Sequence, residues 1–231
     1  MTAANISSNV VTTDLPCIAI MGPTAAGKTE ISLQLANMLP VEIISVDSAQ
    51  VYRGMDIGTA KPETEIREQI PHHLIDICDP TDVYSAAEFQ QDAIALIETI
   101  HKRGAVPILT GGTMLYFRAC FGGLNALPSA DAVVRAQLDA LAADIGWDAM
   151  HRRLQAVDPE SAARIHPHDP QRIQRALEVY EISGKSMTEW HREQAREPSI
   201  KHVLKLVIAP QQRQQLHDRI ATVTERIRSR S

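Results

Sequence analysis

The sequence predicts an α/β fold: a parallel sheet flanked by helices, with an all-helical insertion. Three observations carry this. Strand-like and helix-like segments alternate over residues 15–122, as in a doubly wound sheet. The loop "GPTAAGKT", residues 22–29, joins the first strand to the first helix and makes the core P-loop NTPase-like. From residue 123 to 200 the text is helical and holds no strand.

The elements follow in order. Residues 1–14 lack a basic segment followed by a long apolar one, and read as a frayed tail. "PCIAIMG" is a short apolar run stopped by Gly22, a buried strand. Behind Lys28, the residues Ile31, Leu35 and Met38 form a helical stripe. "VEIISVD" is a second strand ending at Asp47, and "HHLIDI" a third. Ser85 and Glu88 make a capping box opening a helix with Phe89, Ile94, Ile97 and Ile100, which stops at Gly104. "AVPILTGG" is the next strand and turn. Four helical segments then fill the insertion over 123–200, and "HVLKLVIAP" returns to the sheet within 201–231.

Bulk properties narrow the function. At 44% hydrophobic but only 4% aromatic, the core must be aliphatic. No apolar run approaches a membrane span, so no membrane partner is expected. The three cysteines are scattered and fit a reducing, cytoplasmic setting. Net charge is −5, so any nucleic-acid surface must concentrate its cations locally.

Gly22, Pro23, Thr24, Ala25, Ala26, Gly27, Lys28 and Thr29 form the phosphate loop. Its glycines let N–H groups turn inward on phosphate oxygens, and the helix N-terminus adds partial positive charge. Lys28 supplies a mobile cation, and Thr29 a hydroxyl for magnesium. Asp47 and Thr113 each follow a strand, where ligands of open α/β sheets gather. A carboxylate there can hold magnesium through water or take a proton from a nucleophile. On spacing alone Asp47 is equally a turn residue, and Thr113 part of a tight turn. The histidine pairs His72–His73 and His166–His168 lack the i, i+4 spacing of a zinc site, and no metal role is expected for them.

The stretch "VDSAQVYRGMDIGTAKP", residues 46–62, adds more. Together with "GPTAAGKT", "PHHLIDICDP", "YSAAEF", "GGTMLYFRA", "LPSAD" and "DPQRIQRALEVYEISGK", it resembles the tRNA isopentenyltransferase family, over residues 17 to about 220. The resemblance implies transfer of a dimethylallyl group from dimethylallyl diphosphate to N6 of the adenosine just 3′ of the anticodon (position 37), in tRNAs reading codons that begin with U. Magnesium is the implied cofactor. It implies Asp47 as the base, with Thr113 beside it, and the phosphate loop on the diphosphate. It also implies tRNA contacts at Asp47, Ser48, Ala49, Gln50, Thr113, Arg135, Gln171, Arg172, Ile173, Gln174 and Arg175. Without the resemblance these arginines read as a solvated helix face. A monomer is expected.

The resemblance stops near residue 222, where the family has an arginine at the position of Val223. A truncation or frame change there is the expectation. Two other functions stay open. A P-loop with a strand-end Asp also describes small-molecule kinases. An inactive remnant that binds ligand without turnover is the third reading.

Overall fold

The computed structural model describes residues 13–122, 127–193, 198–210 and 212–228. Residues 1–12 of the expected tail, and the side chains of Arg213 and residues 223–228, lie outside the described residues. The chain divides into two compact units, one of Leu124–Arg196, the other of Asn9–Gly123 with Glu197–Ser231.

The second of these carries the sheet. Strands β1 (Cys17–Met21), β2 (Val41–Val46), β3 (His72–His73), β4 (Val106–Gly111) and β5 (Val203–Val207) are all parallel, in the order β3-β2-β4-β1-β5. Helices α1 (Lys28–Ala36), α2 (Thr64–Gln69), α3 (Ala86–Lys102), α4 (Met114–Gly122) and α10 (Arg213–Arg228) belong with it. Alternation along β1 sorts its side chains to two faces. Cys17, Ala19 and Met21 join Ile44, Val46 and Leu109 under α3 and α4, whose Phe89 and Tyr116 stack at 4.4 Å. Ile18 and Ile20 face the other way, toward Ile31 and Leu35 of α1. Burial pushes the Cys17 and Cys120 thiols up to about 12, so both behave as core hydrophobes.

The capping box is formed: Glu88 N–H donates to Ser85 Oγ at 3.2 Å, and Ser85 N–H to Glu88 Oε2 at 2.7 Å. Two expectations need correction. The third strand is only His72–His73, because Leu74 and Asp76 take positive φ of 60° and 58° and break the extended run. The α1 stripe ends before Met38, which is 77% exposed. Buried Thr13 bridges Ile200, with Thr13 N–H on the Ser199 carbonyl at 2.8 Å.

The other unit holds α5 (Ala132–Ile145), α6 (Trp147–Val157), α7 (Pro159–Arg164), α8 (Pro170–Ser183) and α9 (Met187–Glu193) around Leu138, Met150, Leu154, Ile173 and Leu177. Among the described residues 127–193 there is no strand. Buried Asp158 caps α7 through Ser161 N–H at 3.0 Å. It also accepts the Thr188 hydroxyl at 2.6 Å, which fastens α9. Burial opposes the charge of Asp158, but these bonds outweigh it and hold its carboxyl below the usual range.

Candidate active site

Strand order brings the site together. Because β4 lies between β1 and β2, the carboxyl ends of these three strands are neighbours. Each is followed by one piece of the expected chemistry: the phosphate loop, Asp47, and Gly112-Thr113. Gly111 is required there, since a Cβ on it would lie 2.0 Å from the Val46 carbonyl oxygen.

The loop turns through Ala25 and Gly27, with positive φ of 62° and 97°. Gly27 is the N-cap of α1, whose first N–H groups have no intrahelical partner. Lys28 Nζ donates to the carbonyls of Gly22 (2.9 Å) and Pro23 (2.7 Å). Burial lowers its pKa, and the charge of Asp47 pulls the other way. A phosphate oxygen would give this ammonium a stronger, charge-assisted partner than a carbonyl. Thr29 is exposed on the first turn of α1.

Asp47 is half-buried, and its Oδ1 accepts the N–H groups of Ala49 (2.9 Å) and Gln50 (3.3 Å). This fixes the carboxylate while Oδ2 accepts no hydrogen bond among the described residues. Thr113 Oγ1 accepts Ser48 N–H at 3.0 Å and lies 3.3 Å from Ser48 Oγ. It therefore ties the end of β4 to the turn that carries Asp47.

Gln50 is turned inward. Its Oε1 accepts the Ser45 hydroxyl at 2.8 Å, and its amide donates to the carbonyls of Thr59 (3.0 Å) and Ala60 (3.1 Å). Lys61, which sequence reasoning missed, locks the same segment. Its side chain is 4% exposed, and Nζ reaches Tyr52 O (2.7 Å), Asp56 (2.8 Å) and Asp76 (2.6 Å). Its only sequence signal was its place inside the stretch 46–62.

The phosphate loop, Asp47 and Gln50 line one cleft of about 870 Å³. Lys28, Thr29 and Asp47 sit in its wall, as do Gly112 and His72, and also Arg219 of α10. Among the described residues there is no cluster of three or more His, Cys, Asp or Glu able to hold a metal.

The other expected contacts lie in the helical unit. Gln171 and Arg172 are exposed at the start of α8, and Arg172 is paired only loosely, 3.4 Å from Asp169. Arg175 and Arg135 both clasp Glu178, which is fully buried. Gln174 donates to Asp139 at 2.6 Å. Ile173 differs from its neighbours: its side chain is buried with Leu138 and Leu177 in the helical core.

Comparison with known proteins gives the same direction. The IPP transferase family model matches residues 50–229. A tRNA dimethylallyltransferase of Methylobacillus flagellatus is 58% identical over 206 residues, 89% of this chain and 65% of its own. One of Halorhodospira halophila is 56% identical over 205 residues, 89% and 66% of the two chains. This chain thus spans about two thirds of the length of these relatives. Among solved structures, a tRNA isopentenylpyrophosphate transferase of Bacillus halodurans matches at TM-score 0.57 and 40% identity, over 94% of this chain and 67% of that one. A eukaryotic dimethylallyltransferase acting on tRNA matches at TM-score 0.75 and 34% identity, over 92% and 54%. With the phosphate loop and Asp47 gathered at one cleft, and most of its length matched by the family model, the chain belongs to the IPP transferase family.

Proposed function

We propose that this protein transfers a dimethylallyl group from dimethylallyl diphosphate to N6 of the adenosine 3′ of the anticodon (position 37), in tRNAs reading codons that begin with U. The observation that carries the reading is the convergence of Lys28 and Asp47 in one cleft, with Thr113 bonded to the turn that carries Asp47, in a chain of this family.

The C–O bond between the allylic carbon and the diphosphate breaks, and the electron pair leaves with the diphosphate. The N–H groups of the loop and Lys28 stabilise that growing negative charge. The adenine N6 lone pair forms the new C–N bond. It is a weak nucleophile, because the pair is delocalised into the ring. Asp47 takes the N6 proton as the bond forms, held in place by Ala49 and Gln50 N–H. Thr113 positions this segment through Ser48.

The donor set suits magnesium. Thr29 offers a hydroxyl in the cleft wall, the group a phosphate loop turns to magnesium, and the ion completes its shell with substrate phosphates and water. When bound, the ion supplies positive charge to the leaving diphosphate. Anticodon-loop bases are unstacked more cheaply than duplex bases, so an adenosine can be extruded into the cleft. We place the reaction in the cytoplasm, with a monomeric enzyme.

The test is direct. The 231-residue chain is incubated with magnesium, dimethylallyl diphosphate and unmodified tRNA reading U-initial codons, and the digested RNA is searched by mass for N6-dimethylallyladenosine. Its appearance supports the reading. Phosphoryl transfer from ATP with no response to tRNA would select the kinase, and ligand-induced stabilisation without product would select a binding remnant.

A further inference from the structure

Two cations, not one, stand at the rim of the phosphate loop. Arg219 lies on α10, far along the chain from the loop, yet its Nη1 comes within 3.5 Å of the Ala25 carbonyl. Arg219 and Thr222 line the same cleft as Lys28 and Thr29. Their spacing of three puts both on one face of α10, so that face looks onto the loop. The Ala25 contact is long for a hydrogen bond, so the guanidinium can leave it at little cost.

The charge of Arg219 is not spent elsewhere. Among the described residues no carboxylate lies within ion-pair distance of it. Its neighbour Asp218 instead accepts from Gln214 at 2.9 Å. This differs from Arg135 and Arg175, which a buried carboxylate already holds. A planar, permanently charged fork over a loop of inward N–H groups matches two oxygens of a phosphate group.

We propose that Arg219 is a diphosphate-binding residue of this chain, gripping the side of the diphosphate that Lys28 does not reach. The inference rests on the diphosphate reading of the cleft. Lys28 compensates charge from the floor of the loop, and Arg219 closes over its lip. In the transfer reaction Arg219 then meets negative charge that grows as the C–O bond breaks.

The experiment is calorimetric titration of the 231-residue chain with inorganic diphosphate in magnesium buffer. The parent chain is expected to bind, and Lys28→Ala to lose binding. Arg219→Ala is expected to weaken binding roughly 10- to 100-fold, the range of a lost charge-assisted contact. Arg219→Lys should recover part of it, and Lys102→Ala on α3 should bind as the parent does. Circular dichroism and melting temperature establish that each variant is folded. If Arg219→Ala melts early, Arg219→Gln decides in its place. A parent that binds while Arg219→Ala or Arg219→Gln binds equally well overturns this proposal alone. A parent without affinity for diphosphate overturns both this proposal and the reading beneath it.

Discussion

Arg175 donates from Nη1 to Glu178 Oε2 at 2.6 Å, and the carboxylate that receives it is fully buried. Arg135 holds the same group through Nε at 2.9 Å, and Asp131 N–H adds a third bond at 2.9 Å. Burial works against the charge on Glu178, but the two arginines and the backbone N–H outweigh it and keep the carboxyl below its usual range. The two cations thus form a clamp that joins α5, α8 and the segment at Pro128, which accepts Arg175 Nη2 at 2.7 Å. Removing one side of a buried pair costs about 3–5 kcal/mol. Both arginines reach solvent in part, so Glu178→Gln should fall at the lower end, about 3 kcal/mol. Urea unfolding of the variant measures it, and a loss under about 1 kcal/mol would mean that the clamp does not hold the helices together.

Acid should loosen the same unit. Glu178 and Asp158 both have folded pKa values below their ordinary 4.5 and 3.8. A lowered folded pKa adds stability that is fully present above the unfolded value and is lost as pH falls through the folded one. The stability contribution should therefore be level above about pH 5 and decline from about pH 4.5 downward. Trp147 and Trp190, the chain's two tryptophans, both lie in the helical unit, so their fluorescence reports its unfolding. The urea midpoint at pH 3 should lie well below that at pH 6, and Glu178→Gln should flatten the difference.

The clamp also sorts the arginines expected to meet RNA. Arg172 is 73% exposed and loosely paired, whereas Arg135 and Arg175 are engaged. Under the proposed function, Arg172→Ala should weaken tRNA binding and reduce the slope of log affinity against log salt by about one. Arg135→Ala should mainly lower stability. Filter binding over a salt series separates the two, and an unchanged slope in Arg172→Ala would remove it as a phosphate contact.

Local chemistry made much of this legible. The capping box at Ser85, the stop at Gly104 and the alternating segments each follow from a few adjacent residues, and each formed. The phosphate loop was legible because a rigid spacing of glycines and a lysine is demanded by its turn. What stayed hidden depended on distant partners. Strand order, which sets Asp47 beside the loop through β4, is written in no single segment. Lys61 reads as a surface lysine until Asp56 and Asp76 are brought to it. Ile173 sits between residues expected to meet RNA, yet the 3.6-residue period turns it into the core. "HHLIDI" reads as a strand by hydrophobicity, and only backbone conformation at Leu74 and Asp76 ends it.

Gly111 tests the strand order by substitution. A Cβ there would meet the Val46 carbonyl at 2.0 Å, and backbone cannot swing aside as a side-chain end can. Gly27 has open space at its Cβ position, and its difficulty is only the positive φ of 97°. Gly111→Ala should therefore destabilise by about 3 kcal/mol or more, the upper end of overpacking. Gly27→Ala should cost about 1–2 kcal/mol, the left-handed penalty. Paired denaturation curves give the order, and a smaller loss at Gly111 would show that β2 and β4 do not approach as described.

Asp47→Asn separates base from scaffold. The Oδ1 acceptor for Ala49 and Gln50 N–H is kept by asparagine, so the turn and its tie to Thr113 should survive. What is lost is the ability to take a proton. General-base catalysis contributes about 10²–10⁴-fold, so transfer to tRNA should drop by that range while the melting temperature stays close to the parent's. Diphosphate binding should not fall with it, because Asp47 is an anion beside an anion site, and removing its charge lessens repulsion. The three readouts together are decisive: single-turnover rate on tRNA, melting temperature, and diphosphate affinity. A rate close to the parent's with an intact fold would exclude Asp47 as the base and move the proton to water or to the leaving diphosphate. A parallel loss of stability would instead mean that the carboxylate charge, and not its hydrogen-bond geometry, holds the turn.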